Sequence, residues 1–382
     1  MKIESSKKPS TKQLQFKYGT IVTGKDFCGR KDLIKQLTEH IKSAQKCVIF
    51  GERRIGKSSL VYETMLRLQS SHYLISVDLM EVKSLDDLCR RMLRSIMSVK
   101  WNAGIIQKII GFISALRPQI GIDSMTGLPT LTIDQRHQLN EETLENIFRI
   151  LKETSRKKNI VVFFDEFQDV LNIDDSKGVL AALRGKIQLQ ETISFIFAGS
   201  IRDDIVTIFT DAESPFFKSA IPMQIDSISK AEFQTFIENS FASGMRSLEN
   251  GIMDKIFIIA SSITGDIQEM CEALWSVSEP GDLISEKHFN EAIKLIFSRE
   301  QGVYQIILNR LTAFQLKILT AIALNGGKNL YSNEFMGKAG LSNASSVRKA
   351  VSRLVEFKVI YDYQNEYKFI NPFFAFWLKS KI

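Results

Sequence analysis

Short runs of apolar residues recur along the first 225 positions of the chain and alternate with stretches of helical periodicity. Runs of four to six consecutive apolar residues are typical of strands buried on both faces, as in a parallel sheet covered by helices. Alternation of such strands with helices predicts an α/β domain. The predicted strands lie at residues 47–50, 73–77, 160–164, 193–198 and, with a weaker pattern, 221–225.

A long insert separates the second and third predicted strands. Residues 85–116 predict helices, and residues 141–153 predict another helix. Between them, residues 119–132 alternate between apolar and polar positions and contain a Thr-Gly turn, which predicts a small hairpin.

The last 150 residues carry mainly helical patterns. Residues 229–299 are helical throughout, and Ser229 with Glu232 has the spacing of a capping box. After them the pattern predicts three helices, two short strands and a final short helix, the order of a winged helix. The three helices are expected at 311–324, 332–339 and 343–357, and the strands at 359–363 and 367–370.

The composition is that of an ordinary globular protein, with 44% hydrophobic and 24% charged residues among 382. Its length suggests two or three domains. The net charge of +7 is uneven, because residues 1–25 contain six lysines and one glutamate, and residues 303–382 contain eleven Lys or Arg against four Asp or Glu. A basic end module fits nucleic-acid binding and equally fits a solubilising surface.

Several other classes of protein are disfavoured. The four scattered cysteines form no CxxC pair, which argues against a disulfide scaffold or a zinc ribbon. No run reaches 18 uncharged apolar residues, so no membrane helix is expected. The charged N-terminus has no apolar stretch behind it and is not a signal peptide. We expect a cytoplasmic protein.

The strongest chemical motif is GERRIGKS at residues 51–58, which matches GxxxxGK[ST] at every fixed position. It follows a predicted strand and precedes a predicted helix at 59–69. Glycines allow a tight turn whose N–H groups point at phosphates, and the helix N-terminus adds partial positive charge. The expected nucleotide-binding residues of this segment are Gly51, Glu52, Arg53, Arg54, Ile55, Gly56, Lys57, Ser58 and Ser59.

Two of these side chains have a specific predicted role. Lys57 reaches the β- and γ-phosphates and takes part in catalysis, and the Ser58 hydroxyl ligates Mg²⁺. The sequence has no NKxD segment, the usual element that reads guanine, so ATP is the predicted nucleotide.

An acid pair ends the third predicted strand. Asp165 is predicted to hold Mg²⁺, as the corresponding aspartate does in P-loop NTPases. Glu166 is predicted to orient and deprotonate the attacking water. The alternative, that both carboxylates only cap the next helix, is weakened by the P-loop on the same predicted sheet. Glu166 therefore predicts hydrolysis in addition to nucleotide binding.

The fourth predicted strand also ends in polar residues. Ser200 follows Ala198-Gly199 at the position where a sensor of the γ-phosphate is expected. Arg202 and Arg184 are candidates for an arginine that stabilises charge, in this chain's own site or in that of a neighbouring subunit. For each arginine the alternative is an ordinary surface side chain.

The third helix of the predicted winged helix has two different faces. Its apolar positions are Val347, Val351 and Leu354, and its polar face includes basic residues. In helix-turn-helix proteins the recognition helix enters the major groove while basic residues hold phosphates. Contact with double-stranded DNA would therefore involve Arg348, Lys349 and Arg353. The alternative is a winged helix used for packing or dimerisation.

In combination, these residues resemble the archaeal-type ATPases, a family of the STAND class of AAA-related (ASCE) P-loop NTPases. The resemblance rests on the acid pair, on Arg53-Arg54 inside the loop and on Ala198-Gly199-Ser200. Residues 27–33 resemble the family's FxGRxxEL element, with Asp32 in place of the usual glutamate. Further matches lie at 214–217 (SPFF), 340–347 and 371–377.

The resemblance covers about residues 20–380 and implies a P-loop core, a helical lid and a C-terminal winged helix. It implies that adenine lies between the segment from Phe27 to Arg30 and the lid near Gly265. The family usually has Gly-x-Pro in the lid, but residues 264–268 read TGDIQ, without the proline. Many relatives carry a further domain after the winged helix, and we expect none here.

Together the patterns predict an α/β P-loop ATPase core at 21–228, preceded by a basic flexible tail at 1–20. A helical lid at 229–302 and a winged-helix domain at 303–382 follow. The predicted function is Mg²⁺-dependent ATP hydrolysis, with the nucleotide state switching lid and winged helix between two arrangements. Two alternatives remain open: a DNA-binding adaptor with a slow ATP site, and a signalling switch that self-associates or recruits a protein partner.

Overall fold

The chain divides into two units in the structure, a computed structural model that describes residues 15–101, 104–107, 109, 111, 118–122, 129–133, 139–200, 205–363 and 365–381. Ile21–Asp226 form the first unit, called here the sheet unit. Residues 15–20 and 227–381 belong to the second, called here the helical unit.

The described residues of the sheet unit contain seven strands. They are β1 (Lys46–Gly51), β2 (His72–Asp78), β3 (Pro118–Ile122), β4 (Pro129–Ile133), β5 (Asn159–Asp165), β6 (Ile193–Ser200) and β7 (Ile221–Ile225). Five of them pair in parallel in the order β2-β5-β6-β1-β7, which confirms the predicted parallel sheet. Because β6 lies between β1 and β5, the carboxyl ends of these three strands are neighbours.

The unbroken apolar runs are explained by burial on both faces of the sheet. In β5, Val161 and Phe163 pack into one apolar cluster, whereas Val162 and Phe164 pack into the cluster on the opposite face. A strand covered on both sides has no position for an exposed polar side chain, so its sequence does not alternate.

Helices of the sheet unit occupy the segments between the strands. They are Lys31–Lys42, Lys57–Leu68, Leu85–Ser98, Glu141–Ser155, Ser176–Gln188 and Ile205–Thr210, with short 3₁₀ turns at Gly24–Asp26 and Phe167–Asn172. The predicted hairpin is present as the antiparallel pair β3–β4, although its Thr-Gly turn lies outside the described residues.

The helical unit begins with four helices, Lys230–Ser243, Ile252–Ile259, Thr264–Val277 and Glu286–Asn309. The Ser229 hydroxyl accepts a hydrogen bond from the Glu232 backbone N–H and caps the first of them, as its spacing predicts. The expectation of an all-helical segment is wrong in one detail. The two-residue strands β8 (Ser247–Leu248) and β9 (Leu283–Ile284) pair in parallel, and they are too short to produce an apolar run.

The winged helix follows the predicted order. Its helices are Ala313–Asn325, Asn333–Lys338 and Ala344–Glu356, followed by the antiparallel strands β10 (Ile360–Tyr363) and β11 (Glu366–Phe369) and by the helix Pro372–Lys379. The predicted boundary between residues 302 and 303 falls inside the helix Glu286–Asn309, so no loop separates lid from winged helix there.

Residues near the N-terminus also differ from the expectation of a flexible tail at 1–20. Phe16 is buried, and its ring centroid lies 4.8 Å from that of Phe241 and 6.0 Å from that of Trp275. An aromatic ring packed in this way fixes the backbone that carries it. The expectation of flexibility is therefore wrong for Phe16, whereas residues 1–14 lie outside the described part of the chain.

No helix within the described part of the chain is long and apolar enough to cross a membrane.

Candidate active site

The loop between β1 and the helix Lys57–Leu68 needs both glycines of the motif. A Cβ atom on Gly51 would lie 2.3 Å from the carbonyl oxygen of Ile225, so the packing of β7 against β1 requires a glycine there. Gly56 has a φ of 98°, a left-handed conformation that side chains disfavour, immediately before the helix. The turn therefore delivers backbone N–H groups to a helix N-terminus, the arrangement that binds phosphates.

The other loop residues divide into buried and exposed side chains. Ile55 is buried in the apolar cluster under the loop, so only its backbone can face a ligand. Arg53 and Arg54 are exposed. Ser59 contacts the N-terminal segment, because its hydroxyl accepts a hydrogen bond from the Val22 backbone N–H at 3.1 Å.

Lys57 is held across the loop. Its side chain is buried, with 6% exposed. The Nζ atom donates hydrogen bonds to the carbonyl oxygens of Glu52 at 3.0 Å and Gly51 at 3.4 Å. The ammonium group thus lies within the turn whose N–H groups would bind phosphates.

A hydrogen bond joins the P-loop helix to the end of β5. The Ser58 hydroxyl donates to Oδ2 of Asp165 at 2.6 Å. Burial raises the pKa of Asp165 above its usual range; the hydrogen bond from Ser58 opposes this, and the neighbouring negative charge of Glu166 adds to it. The two oxygens predicted to hold Mg²⁺ are therefore adjacent, although they come from different elements of the sheet unit.

Glu166 leaves the strand in a left-handed conformation, with φ of 51°. Its backbone N–H donates to Oδ1 of Asp165 at 3.2 Å, and its Oε2 accepts a hydrogen bond from Nε2 of Gln168 at 2.7 Å. The sequence patterns missed Gln168. Its burial beside Glu166 is visible only in the structure, and no sequence pattern marked it.

The predicted sensor residues are only partly described. Ser200 is fully buried at the end of β6 and pairs in register with Gly51, between the ends of β1 and β5. Arg202 lies outside the described residues. Arg184 is not brought to this edge: its charge acts on Lys46, the first residue of β1, at the opposite end of the strand from the P-loop.

The segment predicted to lie near adenine supports the loop directly. Arg30 has φ of 62°, and its Nη2 donates to the carbonyl oxygens of Ile55 at 2.6 Å and Asp226 at 3.1 Å. Phe27 is half-buried against the apolar cluster under the loop. Gly265 is the second residue of the helix Thr264–Val277 in the helical unit, and its approach to the nucleotide stays a prediction.

The winged helix presents a basic face. Arg348, Lys349 and Arg353 are exposed on the helix Ala344–Glu356, whose opposite side is buried. The guanidinium of Arg348 lies 5.1 Å from the ring centroid of Tyr331, and Nη1 of Arg353 is paired with Glu356 at 2.6 Å.

Family comparisons agree with this geometry. Residues 27–260 match the model of an ATPase domain found predominantly in Archaea. Residues 302–380 match a probable winged helix domain. Fold and site together define a P-loop ATPase with a C-terminal winged helix. The chain belongs to the family of ATPase domains found predominantly in Archaea, as the sequence motifs predict.

Solved structures show the same fold at low identity. A Walker-type ATPase of Pyrococcus abyssi matches with a TM-score of 0.63 and 19% identity, over 94% of this chain and 97% of that one. The ORC1 protein of Aeropyrum pernix, solved in complex with DNA, matches with a TM-score of 0.51 and 11% identity, over 93% of both chains. No match was found among curated proteins.

Proposed function

We propose that this protein hydrolyses ATP with Mg²⁺ at the carboxyl edge of its sheet and uses the nucleotide state as a conformational switch. The observation that carries the proposal is the 2.6 Å hydrogen bond between Ser58 and Asp165, with Glu166 next in the chain. It brings the P-loop helix and the acid pair into one site, as hydrolysis requires.

The residues fit a magnesium ion. Mg²⁺ prefers oxygen ligands and is usually held by one or two protein side chains together with substrate phosphates. Ser58 and Asp165 supply a hydroxyl and a carboxylate oxygen that are already adjacent. Among the described residues no group of three or more His, Cys, Asp or Glu could hold a metal. When bound, the ion would neutralise charge on the phosphate oxygens.

In the proposed reaction Lys57 and the loop N–H groups bind the phosphates, while Glu166 orients a water molecule. The water oxygen forms a bond to the γ-phosphorus, and the bond from that phosphorus to the β–γ bridging oxygen breaks. The proton of the water passes to Glu166, leaving ADP and inorganic phosphate. Oε1 of Glu166 can accept this proton, because it accepts no hydrogen bond from the described residues, whereas Oε2 is held by Gln168.

The proposed conformational switch rests on one helix of the helical unit that contacts both the lid and the winged helix. The helix Glu286–Asn309 carries Arg299, which pairs with Glu272 of the lid, and Tyr304, whose ring packs on Phe374 and Trp377 of the winged helix. One rigid helix thus contacts both parts. A nucleotide-dependent movement of the lid would be passed to the winged helix.

The test is Glu166→Gln in the purified protein. We expect ATP turnover to fall by about 100-fold or more, since a general base typically contributes that much, while equilibrium ATP binding is retained. Glutamine keeps the shape of the side chain but is uncharged and cannot accept the proton of the water. Normal turnover in this variant would reject the assigned mechanism.

A second candidate function is DNA binding by the winged helix. The exposed basic face formed by Arg348, Lys349 and Arg353 favours it. We expect binding to duplex DNA at low salt that weakens steeply as salt rises, because each phosphate contact releases counterions. Changing Arg348 and Lys349 to Ala should reduce both affinity and the salt slope. Changing Lys379 and Lys381, which lie outside that helix, serves as the charge-matched control. Absence of binding at low salt would eliminate this function.

A further inference from the structure

Gln168 connects the proposed general base to a neighbouring turn. Its Nε2 atom donates one hydrogen bond to Oε2 of Glu166 at 2.7 Å and a second to Oδ1 of Asp169 at 3.2 Å. The other carboxylate oxygen of Asp169 accepts a hydrogen bond from the Glu81 backbone N–H at 2.6 Å. Both N–H groups of the amide are therefore used, and both bind carboxylates.

The amide has only one acceptable orientation. If it were rotated by 180°, its oxygen would face the two carboxylate groups, which have no proton to donate when ionised. The Nε2 assignment therefore follows from the charges around it. A side chain whose two donors are fixed in this way limits the rotation of the Glu166 carboxylate that it binds.

Close packing against β6 also restricts the Gln168 side chain. Gln168 is buried, with 5% exposed. A Cβ atom on Gly199 would lie 2.1 Å from its Oε1, so the amide fills the space that the glycine of the sensor strand leaves free. The side chain therefore lies between the ends of β5 and β6.

Burial of this amide has a cost for stability beside the gain from its two hydrogen bonds. Its Oε1 has no hydrogen-bond partner among the described residues, and burial of an unpaired acceptor is unfavourable. A methionine of similar size would avoid that cost. The position of Gln168 is better explained by what its two N–H groups do for Glu166 than by its contribution to folding.

We propose that Gln168 is a positioning residue that holds the Glu166 carboxylate in the orientation in which Oε1 accepts the proton of the attacking water. It acts through Glu166 and touches neither nucleotide nor water itself. The inference rests on the proposed function, since Glu166 must first be the general base.

The experiment is Gln168→Met beside Gln190→Met. Gln190 is a matched control, because it is equally buried, has the same unpartnered Oε1 among described residues, and lies near the amino end of β6. For Gln168→Met we expect kcat about tenfold lower, the size typical of residues that orient a catalytic group. We expect ATP affinity to stay at the wild-type value, and a thermal unfolding curve checks that the variant remains folded. Gln190→Met should leave kcat unchanged.

Three outcomes decide the proposal. A kcat in Gln168→Met that equals or exceeds that of the wild type overturns it, because the hydrogen bond would then be irrelevant or inhibitory. An equal loss of kcat in Gln168→Met and Gln190→Met also overturns it and indicates a general packing effect. Loss of kcat in Gln168→Met alone, with ATP affinity retained, supports it.

A combined variant separates this inference from the proposed function. In the Glu166→Gln background, Gln168→Met should change the residual single-turnover rate by less than about twofold, since its effect passes through the carboxylate. A further tenfold loss would show that Gln168 acts independently of Glu166. Normal turnover in Glu166→Gln alone would instead reject the general base and leave the role of Gln168 without its basis.

Discussion

The two edges of the central sheet contain similar residues but differ in how these are arranged. The carboxyl edge holds Lys57 and the buried Gln168. The amino edge holds Lys46, and the buried Gln190 lies just before β6. At the amino edge Nζ of Lys46 donates to the carbonyl oxygen of Gln190 at 3.2 Å, and the Ser194 hydroxyl donates to the carbonyl oxygen of Gln45 at 2.7 Å.

At the carboxyl edge, side chains from different elements bind one another. Ser58 binds Asp165, and Gln168 binds Glu166. Glu166 and the glycine before Lys57 take left-handed conformations that turn the chain toward this edge. The difference shows that residue type alone does not define the site. The site is defined by side chains that converge from adjacent strand ends. For the same reason, ligands in parallel sheets bind at the carboxyl ends of the strands.

The largest expected difference between the two edges is the effect on ATP turnover of substituting Lys57 and Lys46. Lys57→Ala should lower ATP turnover by about 100-fold or more, since it removes a positive charge from the bound phosphates. Lys46→Ala should leave turnover near the wild-type value, because this lysine is about five residues, or roughly 16 Å, from the loop along β1. Steady-state ATP hydrolysis by both variants is the measurement.

Equal losses of ATP turnover in Lys57→Ala and Lys46→Ala would contradict the proposed difference between the two edges. Burial lowers the pKa of Lys46, and the nearby positive charge of Arg184 adds to this, so the substitution removes an unfavourably placed charge together with the hydrogen bond to Gln190. A thermal unfolding curve of Lys46→Ala shows whether a drop in turnover is a loss of folded protein.

Sequence patterns predict the fold of this chain well because the packing of the sheet restricts which residues can stand at particular positions. Burial on both faces forces the unbroken apolar run of β5, and close contact with Ile225 forces glycine at position 51. The P-loop and the acid pair are visible for the same reason, since each follows directly from a strand end. These features are local in sequence.

Features that depend on how separate segments pack are not visible in the same way. Gln168 acquires its role from the turn that places its amide against Glu166. Arg184 looks like a candidate for the site until its helix is seen to place it beside Lys46. Phe16 lies in a polar segment, and only its packing on Phe241 shows that it is part of the helical unit.

A smaller effect is expected from Asp165 at the carboxyl edge, on the stability of the folded protein. Because burial raises the pKa of Asp165, this group stabilises the folded state at acidic pH, and that contribution is lost as pH rises from the ordinary value of 3.8 through the raised folded-state pKa. Asp165→Asn should therefore raise the unfolding midpoint of the nucleotide-free protein at pH 8, with a smaller gain at pH 4. It should also abolish Mg²⁺-dependent turnover.

Glu145 supplies the control of opposite sign. The hydrogen bond from Lys186 lowers the pKa of Glu145, so its contribution to stability is present at neutral pH and is lost as pH falls through the folded-state pKa. This pair is exposed, and its effect is small. Glu145→Gln should slightly lower the midpoint at pH 8 and converge with the wild type at acidic pH. If Asp165→Asn followed the same pH dependence as Glu145→Gln, burial of the ionised Asp165 carboxylate would not destabilise the folded protein at neutral pH.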